Sequence, residues 1–356
     1  MTTPVEQLFV SPARTMRDLI DCIDRCAKGI ALVVDEERRL LGTVTDGDVR
    51  RAILAGVSLE STVALYLAGR PRVASHAPHT APIGTTDAEL IRCMNEASIR
   101  HVPLLDSAGR VRGIGLLSDL VREYELPLRA VVMAGGFGTR LQPLTLGQPK
   151  PMLPLGDKPL LEKTIGGLRQ AGIRKVNVTT HYLAEQISEY FGDGKAFGVD
   201  IEYLREDEPL GTAGVLGRLG ETEEPLLVIN GDVLTNVNFR AMLDFHREQT
   251  ADMTVAVREY QVQIPYGVVQ SEGSRVVGVT EKPILRQFIN AGIYLISPGV
   301  CTRIPAGEHF DMPDLINRLL AAGRPVASFP IREYWLDIGR VEDYKQAIKD
   351  VTDGEL

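Results

Sequence analysis

The densest run of chemistry-bearing residues is Ala134-Gly135-Gly136-Phe137-Gly138-Thr139-Arg140, followed ten positions later by Lys150 within Gln148-Pro149-Lys150-Pro151. The apolar stretch Ala130–Ala134 leads into it, as a buried strand would. Gly135, Gly136 and Gly138 leave backbone N–H groups unobstructed, an arrangement suited to a polyphosphate. Arg140 offers a rigid fork for phosphate oxygens and Lys150 a mobile point charge. A dinucleotide fingerprint would need a third glycine where the chain has Leu141, and a Walker A loop would need a Gly-Lys-Ser/Thr that is absent. An ordinary glycine-rich turn accounts for the glycines alone, but poorly for the Thr-Arg and Pro-Lys-Pro segments attached to them.

Two carboxylates extend this chemistry. Asp232 follows the apolar strand Leu226–Ile229 and a glycine, so it should emerge at the sheet's ligand edge, where hard oxygens suit Mg²⁺. Taken alone it reads as a turn aspartate bonded to its own backbone; Asp337, a second aspartate, shifts the balance. Asp337 serves equally well as a cap for a helix over Val341–Lys349, although Arg340 intervenes. Lys282, beside Glu281, is either a solvated surface pair or, given Pro283 and the preceding strand, a fixed cation. His181 ends a strand, where a histidine either orients substrate or, more often, is a polar strand end, and it is assigned no role; His246 and His309 have no evident partners. Trp335, the only tryptophan, is expected to pack beneath Asp337. Four scattered cysteines exclude a disulfide framework. Cys22 and Cys26 share a helical face but have no matching pair, so they read as buried thiols.

The elements that must hold these residues alternate between strand and helix. Strands are expected at Ala130–Ala134, Lys175–Thr180, Ile201–Leu204, Pro225–Asn230, Met253–Val257, Tyr266–Gln270, Val276–Thr280 and Asn290–Ile296. Helices are expected at Leu160–Ala171 and Ala184–Phe191. Such alternation predicts an α/β domain with an open, mostly parallel sheet and ligands beyond the carboxyl ends of its strands.

Residues before Pro127 follow a different plan. Ile30–Asp35 and Gly42–Val49 recur 71 residues later as His101–Asp106 and Gly113–Leu120, and in each copy an aspartate stands seven positions before a glycine. Thr15 should cap a helix from Met16 to Ala27, a helix should follow from Val49 to Leu54, and Thr86-Asp87 should open another. The join Glu123–Arg129, with one proline, predicts a short, stiff connection. The formal charge of −8, from 39 basic and 47 acidic residues, argues against non-specific nucleic-acid binding. No apolar run reaches the ~18 residues of a membrane span. Met1–Arg14 lacks the pattern of a secretory signal, so a cytoplasmic, non-membrane protein is expected.

From Ala130 to Asp350 the motifs closely resemble sugar-1-phosphate nucleotidyltransferases, in that family's order: Gly135–Arg140 with Lys150, Glu208-Pro-Leu-Gly211-Thr212, Ile229-Asn-Gly-Asp232, Tyr266-Gly267, Glu281-Lys282-Pro283, Asn290-Ala-Gly292 and Trp335-Leu-Asp337. The N-terminal repeat resembles tandem CBS domains. Together these imply a Rossmann-like, mostly parallel nucleotidyltransferase domain at residues 129–356, after a tandem CBS (βαβ repeat) module at 1–125, with copies near 1–60 and 65–125. The implied catalytic residues are Arg140, Lys150 and Lys282. Ala134, Gly135, Gly136, Gly138, Thr139, Glu206, Glu208, Gly211 and Thr212 would bind the NTP, and Gly267, Glu281 and Asn290 the sugar. Asp232 and Asp337 would hold Mg²⁺. A carboxylate at Glu206 or Glu208 suits the N1–H and exocyclic amine of guanine, which favours GTP over uracil or thymine nucleotides.

In the repeat, Thr45 and Asp48 match the CBS ribose-contacting pattern, whereas the second copy has Leu116 with Asp119. Asp48 can equally be a helix-capping residue, and ligand binding and scaffolding stand level. The resemblance implies an adenine nucleotide as ligand and a homo-oligomer. The fusion is similar to glucosamine-1-phosphate guanylyltransferases of the legionaminic-acid pathway, which supply cell-surface glycan precursors, and to mannose-1-phosphate guanylyltransferase-like proteins. Thymidylyl or uridylyl transfer, or a non-catalytic nucleotide sensor, are the alternatives.

Overall fold

The computed structural model describes residues 4–69, 78–97, 99–120 and 125–354. The chain divides into two compact units, Met1–Tyr124 and Glu125–Leu356. Of the expected join, Glu123 and Tyr124 lie outside the described residues.

The first unit contains two similar halves, each a three-stranded sheet. In the first half, Phe9–Val10, Ile30–Val34 and Leu40–Thr45 pack on helices Met16–Cys26 and Asp46–Leu54. Thr15 caps the first helix: its hydroxyl accepts from Asp18 N–H at 3.1 Å, while the Asp18 carboxylate accepts from Thr15 N–H at 3.0 Å. This reciprocal box satisfies two donors that the helix start would otherwise leave open. The equivalent sheet of the second half comprises Ala81–Pro82, His101–Leu105 and Val111–Leu116, and Thr86 caps its helix Asp87–Glu96 in the same way. Cys22 and Cys26 are buried free thiols, both facing the Gln7 carbonyl, and burial pushes the Cys22 thiol up to about 11.

The second unit is built on a seven-stranded sheet. Its strands are β1 (Arg129–Met133), β2 (Lys175–Thr180), β3 (Asp200–Arg205), β4 (Leu226–Asn230), β5 (Met253–Gln263), β6 (Ile284–Ile296) and β7 (Val326–Pro330). The order is β3-β2-β1-β4-β6-β5-β7, and every neighbouring pair is parallel except those made by β6. The central strands carry apolar side chains on both faces, because helices such as Leu160–Gln170 and Phe239–Glu248 cover them. The direction of the strand order reverses between β1 and β4, and the loops leaving such neighbours diverge and open a crevice.

The mostly parallel α/β sheet is as expected, with one difference. Val268–Glu272 and Arg275–Thr280 do not join the main sheet; they pair only with each other. They extend the long, exposed outer halves of β5 and β6, whose inner halves are buried. Among the described residues no helix is long and apolar enough to cross a membrane.

Candidate active site

The glycine loop leaves β1 at the switch point. Ala134 N–H donates to the Thr179 hydroxyl at 3.0 Å, which ties the loop's first residue to β2. Gly138 has a φ of +63°, and a Cβ there would stand 3.2 Å from Lys150 Cβ. The buried Thr145 donates its hydroxyl to the Gly138 carbonyl at 2.8 Å. Glycine at this position therefore lets the loop fold back onto the segment carrying Lys150.

β4 delivers Asp232 beside that loop. Gly231 N–H donates to the Met133 carbonyl at 2.9 Å, and a Cβ on Gly231 would lie 2.5 Å from the same oxygen. Only glycine permits the approach that brings the next residue, Asp232, over the β1 loop. Lys150 Nζ is 2.6 Å from Asp232 Oδ2, and Lys150 is only 9% exposed. A cation so far out of water needs its carboxylate partner.

Asp337 arrives from the far end of the sequence through a two-stranded ladder. Val233–Thr235 pairs antiparallel with Trp335–Asp337, Val233 faces Asp337, and Ile338 N–H donates to the Asp232 carbonyl at 2.9 Å. Asp337 does not cap the following helix: that helix starts after Arg340, whose N–H donates to Asp343. Desolvation and then the neighbouring Asp232 charge raise the Asp337 pKa, while Lys150 and Arg140 oppose the rise. Arg140 Nη1 and Asp337 Oδ2 each lie 3.6 Å from the position of a Cβ on Gly339, so they border the same bare backbone. Trp335 is anchored by its indole N–H on the Ala291 carbonyl at 2.8 Å, with Arg258 over its ring. Among the described residues no cluster of three or more His, Cys, Asp or Glu side chains could hold a metal. Two hard carboxylates nevertheless fit a divalent cation whose remaining ligands are phosphates and waters.

The segment read as base-binding sits next to the loop. Glu206 is buried; its Oε2 accepts from Leu210 N–H at 3.0 Å, and its Oε1 lies 3.2 Å from the Cβ position of Gly135. Glu208 is exposed. Thr212 is engaged elsewhere: its N–H and hydroxyl both donate to Asp311 Oδ1, at 2.8 and 3.1 Å, and the hydroxyl accepts from Met312 N–H. Gly211, with a φ of +77°, rests against Asp311 and Phe310.

Gly267, Glu281 and Lys282 come together on the exposed outer arm. Glu281 Oε2 lies 3.0 Å from the Gly267 Cβ position, and Lys282 N–H donates to the Tyr266 carbonyl at 3.2 Å. Lys282 has a φ of +45°, so its backbone is held in a fixed, unusual turn. Among the described residues its side chain makes no ion pair or hydrogen bond, and none joins it to Asp232 or Asp337. Asn290 is exposed, and its side chain accepts from Gly292 N–H at 3.0 Å and donates to the Tyr294 hydroxyl at 2.8 Å.

In the first unit, Thr45 and Asp48 form the reciprocal cap of helix Asp46–Leu54. Asp48 Oδ2 accepts from Thr45 N–H at 2.8 Å, and Asp48 Oδ1 accepts from Arg51 at 2.9 Å. Asp119 pairs with Lys28 at 3.3 Å. Gly231, Thr145, Thr179 and Asp311 border the site without having been singled out from sequence, and His181, which the sequence left without a role, lies beside the glycine loop. Thr145 and Gly231 stand inside motifs already recognised, whereas nothing local connects Asp311 to Thr212.

Known proteins resemble this chain over both units. The nucleotidyl transferase family model matches residues 129–354, and the CBS domain model matches residues 1–55 and 72–126. The mannose-1-phosphate guanylyltransferase of Mycobacterium tuberculosis is 39% identical over 235 residues, 63% of this chain and 65% of that protein. The UTP–glucose-1-phosphate uridylyltransferase of Synechocystis sp. is 34% identical over 250 residues, 64% of each chain. The chain thus spans just under two thirds of the length of these relatives. Among solved structures, HddC from Yersinia pseudotuberculosis superposes with a TM-score of 0.51 at 25% identity, covering 63% of this chain and 99% of that one. With the family model spanning the whole sheet, from β1 to the last helix, the chain belongs to the nucleotidyl transferase family.

Proposed function

We propose that this protein transfers a guanylyl group from GTP to a hexose or hexosamine 1-phosphate and releases pyrophosphate. The observation that carries the reading is the meeting, at one switch point, of the Lys150–Asp232 pair, Asp337 and Arg140 beside a glycine loop. An oxygen of the sugar phosphate attacks the α-phosphorus in line, the α–β bridging P–O bond breaks, and pyrophosphate leaves with the bonding electrons. No covalent enzyme intermediate is needed, so the protein's task is to align two anions and neutralise their charge.

The backbone N–H groups of Gly135 to Thr139 cradle the phosphates, Arg140 grips the β- and γ-phosphates, and Lys150 neutralises the α-phosphate. Lys282 holds the sugar phosphate, while Glu281, the Gly267 backbone and Asn290 bind the sugar. Asp232 and Asp337 would hold Mg²⁺, which supplies further charge neutralisation on the phosphates when bound. The buried Glu206 and its neighbour Glu208 support guanine, since a carboxylate accepts from both of its Watson–Crick donors. The name of the mycobacterial relative supports the same base. The Synechocystis relative's name favours uridylyl transfer as the second reading. The CBS match supports an adenine nucleotide in the first unit, near Thr45, Asp48 and Asp119, that modulates turnover.

Pyrophosphate release measured with GTP, UTP and dTTP against a panel of sugar 1-phosphates tests the reading. GTP with a hexose or hexosamine 1-phosphate should give the highest kcat/KM. A preference for UTP or dTTP would overturn the guanylyl assignment, and no release from any pair would overturn catalysis itself.

A further inference from the structure

We propose that His181 is a positioning residue that fastens the glycine loop to the base segment. The inference deepens the nucleotidyl-transfer reading and rests on it for its kinetic consequence. His181 stands just beyond β2 and touches three parts of the site. Its Nδ1 lies 2.8 Å from the Glu206 carbonyl. A carbonyl only accepts, so Nδ1 carries a hydrogen in this contact. Glu206 N–H in turn donates to the Thr180 carbonyl at 2.8 Å, so residues 180–181 and 206 are bonded in both directions.

The His181 ring meets Phe137 edge to face, with centroids 5.1 Å apart at 87°. Phe137 is 48% exposed and lies within the loop, and its ring also meets that of Tyr182 at 5.8 Å. The Tyr182 hydroxyl itself donates to the Leu146 carbonyl at 3.2 Å, beyond the same loop. The Gly135 Cβ position is 3.5 Å from His181 Cβ and 3.2 Å from Glu206 Oε1, so Gly135 is seated between the two. One imidazole therefore sets the distance between the donors read as phosphate-binding and the carboxylate read as base-binding. Its loss should loosen the nucleotide site and spare the sugar site on the outer arm.

The test uses the full-length chain with His181→Ala, Phe137→Ala, Phe137→Tyr and the double alanine variant. Amide hydrogen exchange at Gly135–Arg140, read without substrate, should quicken about tenfold in each single alanine variant while β1 amides hold their protection. The KM for GTP should rise about tenfold and that for the sugar phosphate stay within about twofold. Phe137→Tyr should restore both readouts, and the double variant should be no worse than the poorer single one. Unchanged loop exchange in both single variants overturns the proposal even if no nucleotide is turned over. So does a parallel rise in both KM values, or fully additive effects in the double variant.

Discussion

Gly231→Ala separates positioning from chemistry, because residue 231 presents no side chain to any substrate. The added methyl would sit 2.5 Å from the Met133 carbonyl oxygen and 3.3 Å from Ala134 Cα, both backbone atoms that cannot swing aside. That is about an ångström inside ordinary contact, so either the entry to the glycine loop or the exit of β4 must move. Over-packing of this kind costs about 1–3 kcal/mol of stability. The larger consequence is for rate, since Asp232 is the next residue and its pairing with Lys150 is only 2.6 Å long. A displacement of about 1 Å at a reacting centre costs on the order of 10² in turnover. Thermal unfolding and steady-state pyrophosphate release on the same preparation would measure both. If the variant kept its melting temperature within about a degree and its kcat within about twofold, the tight β1–β4 crossing would not be what positions Asp232.

Three further outcomes follow from the same geometry. His246 is buried between Thr254 and Ser297, and burial, followed by Arg247, holds its pKa down at about 4. Its unfolded form takes up a proton near pH 6.5, so its contribution is complete above that pH. It is lost progressively as the pH falls toward 4, by about 3 kcal/mol in all. His246→Gln should therefore flatten the loss of thermal stability between pH 7.5 and 5, and an unchanged slope would exclude the histidine as its source. Thr45→Ala removes the cap hydroxyl of Asp46–Leu54 and should cost the first unit about 1 kcal/mol in thermal unfolding; no measurable loss would count against the cap. Lys282→Ala should lower kcat on the order of 10²–10³, and near-full turnover at saturating substrates would remove this lysine from the reaction.

The glycine loop and Asp232 were legible because each follows an unbroken apolar strand, the pattern of a strand buried on both faces of a sheet. The caps at Thr15 and Thr86 were equally local, each a Thr with an acidic residue three positions on. Thr45 and Asp48 show where that legibility ends: the same spacing satisfies both a capping box and a ribose-contacting pattern, and the folded chain bonds the two residues to each other. Asp337 was ambiguous for a related reason, since a carboxylate four residues before a helix resembles a cap until the ladder with Val233–Thr235 is seen. The latch between Asp311 and Thr212 spans 99 residues, and no pattern along the chain encodes such a contact. The separate hairpin at Val268–Thr280 escaped because alternation specifies a strand but not its partner.

The central claim is that two carboxylates at one sheet edge act as a unit to bring two anionic reactants together. A double-mutant cycle on transfer rate with Asp232→Asn and Asp337→Asn addresses it most directly. Each single change should lower kcat on the order of 10²–10³, and the double change should cost little more than the worse of them, as for residues that share one task. Losses that multiply independently, or an Asp337→Asn enzyme as fast as the parent, would contradict the account.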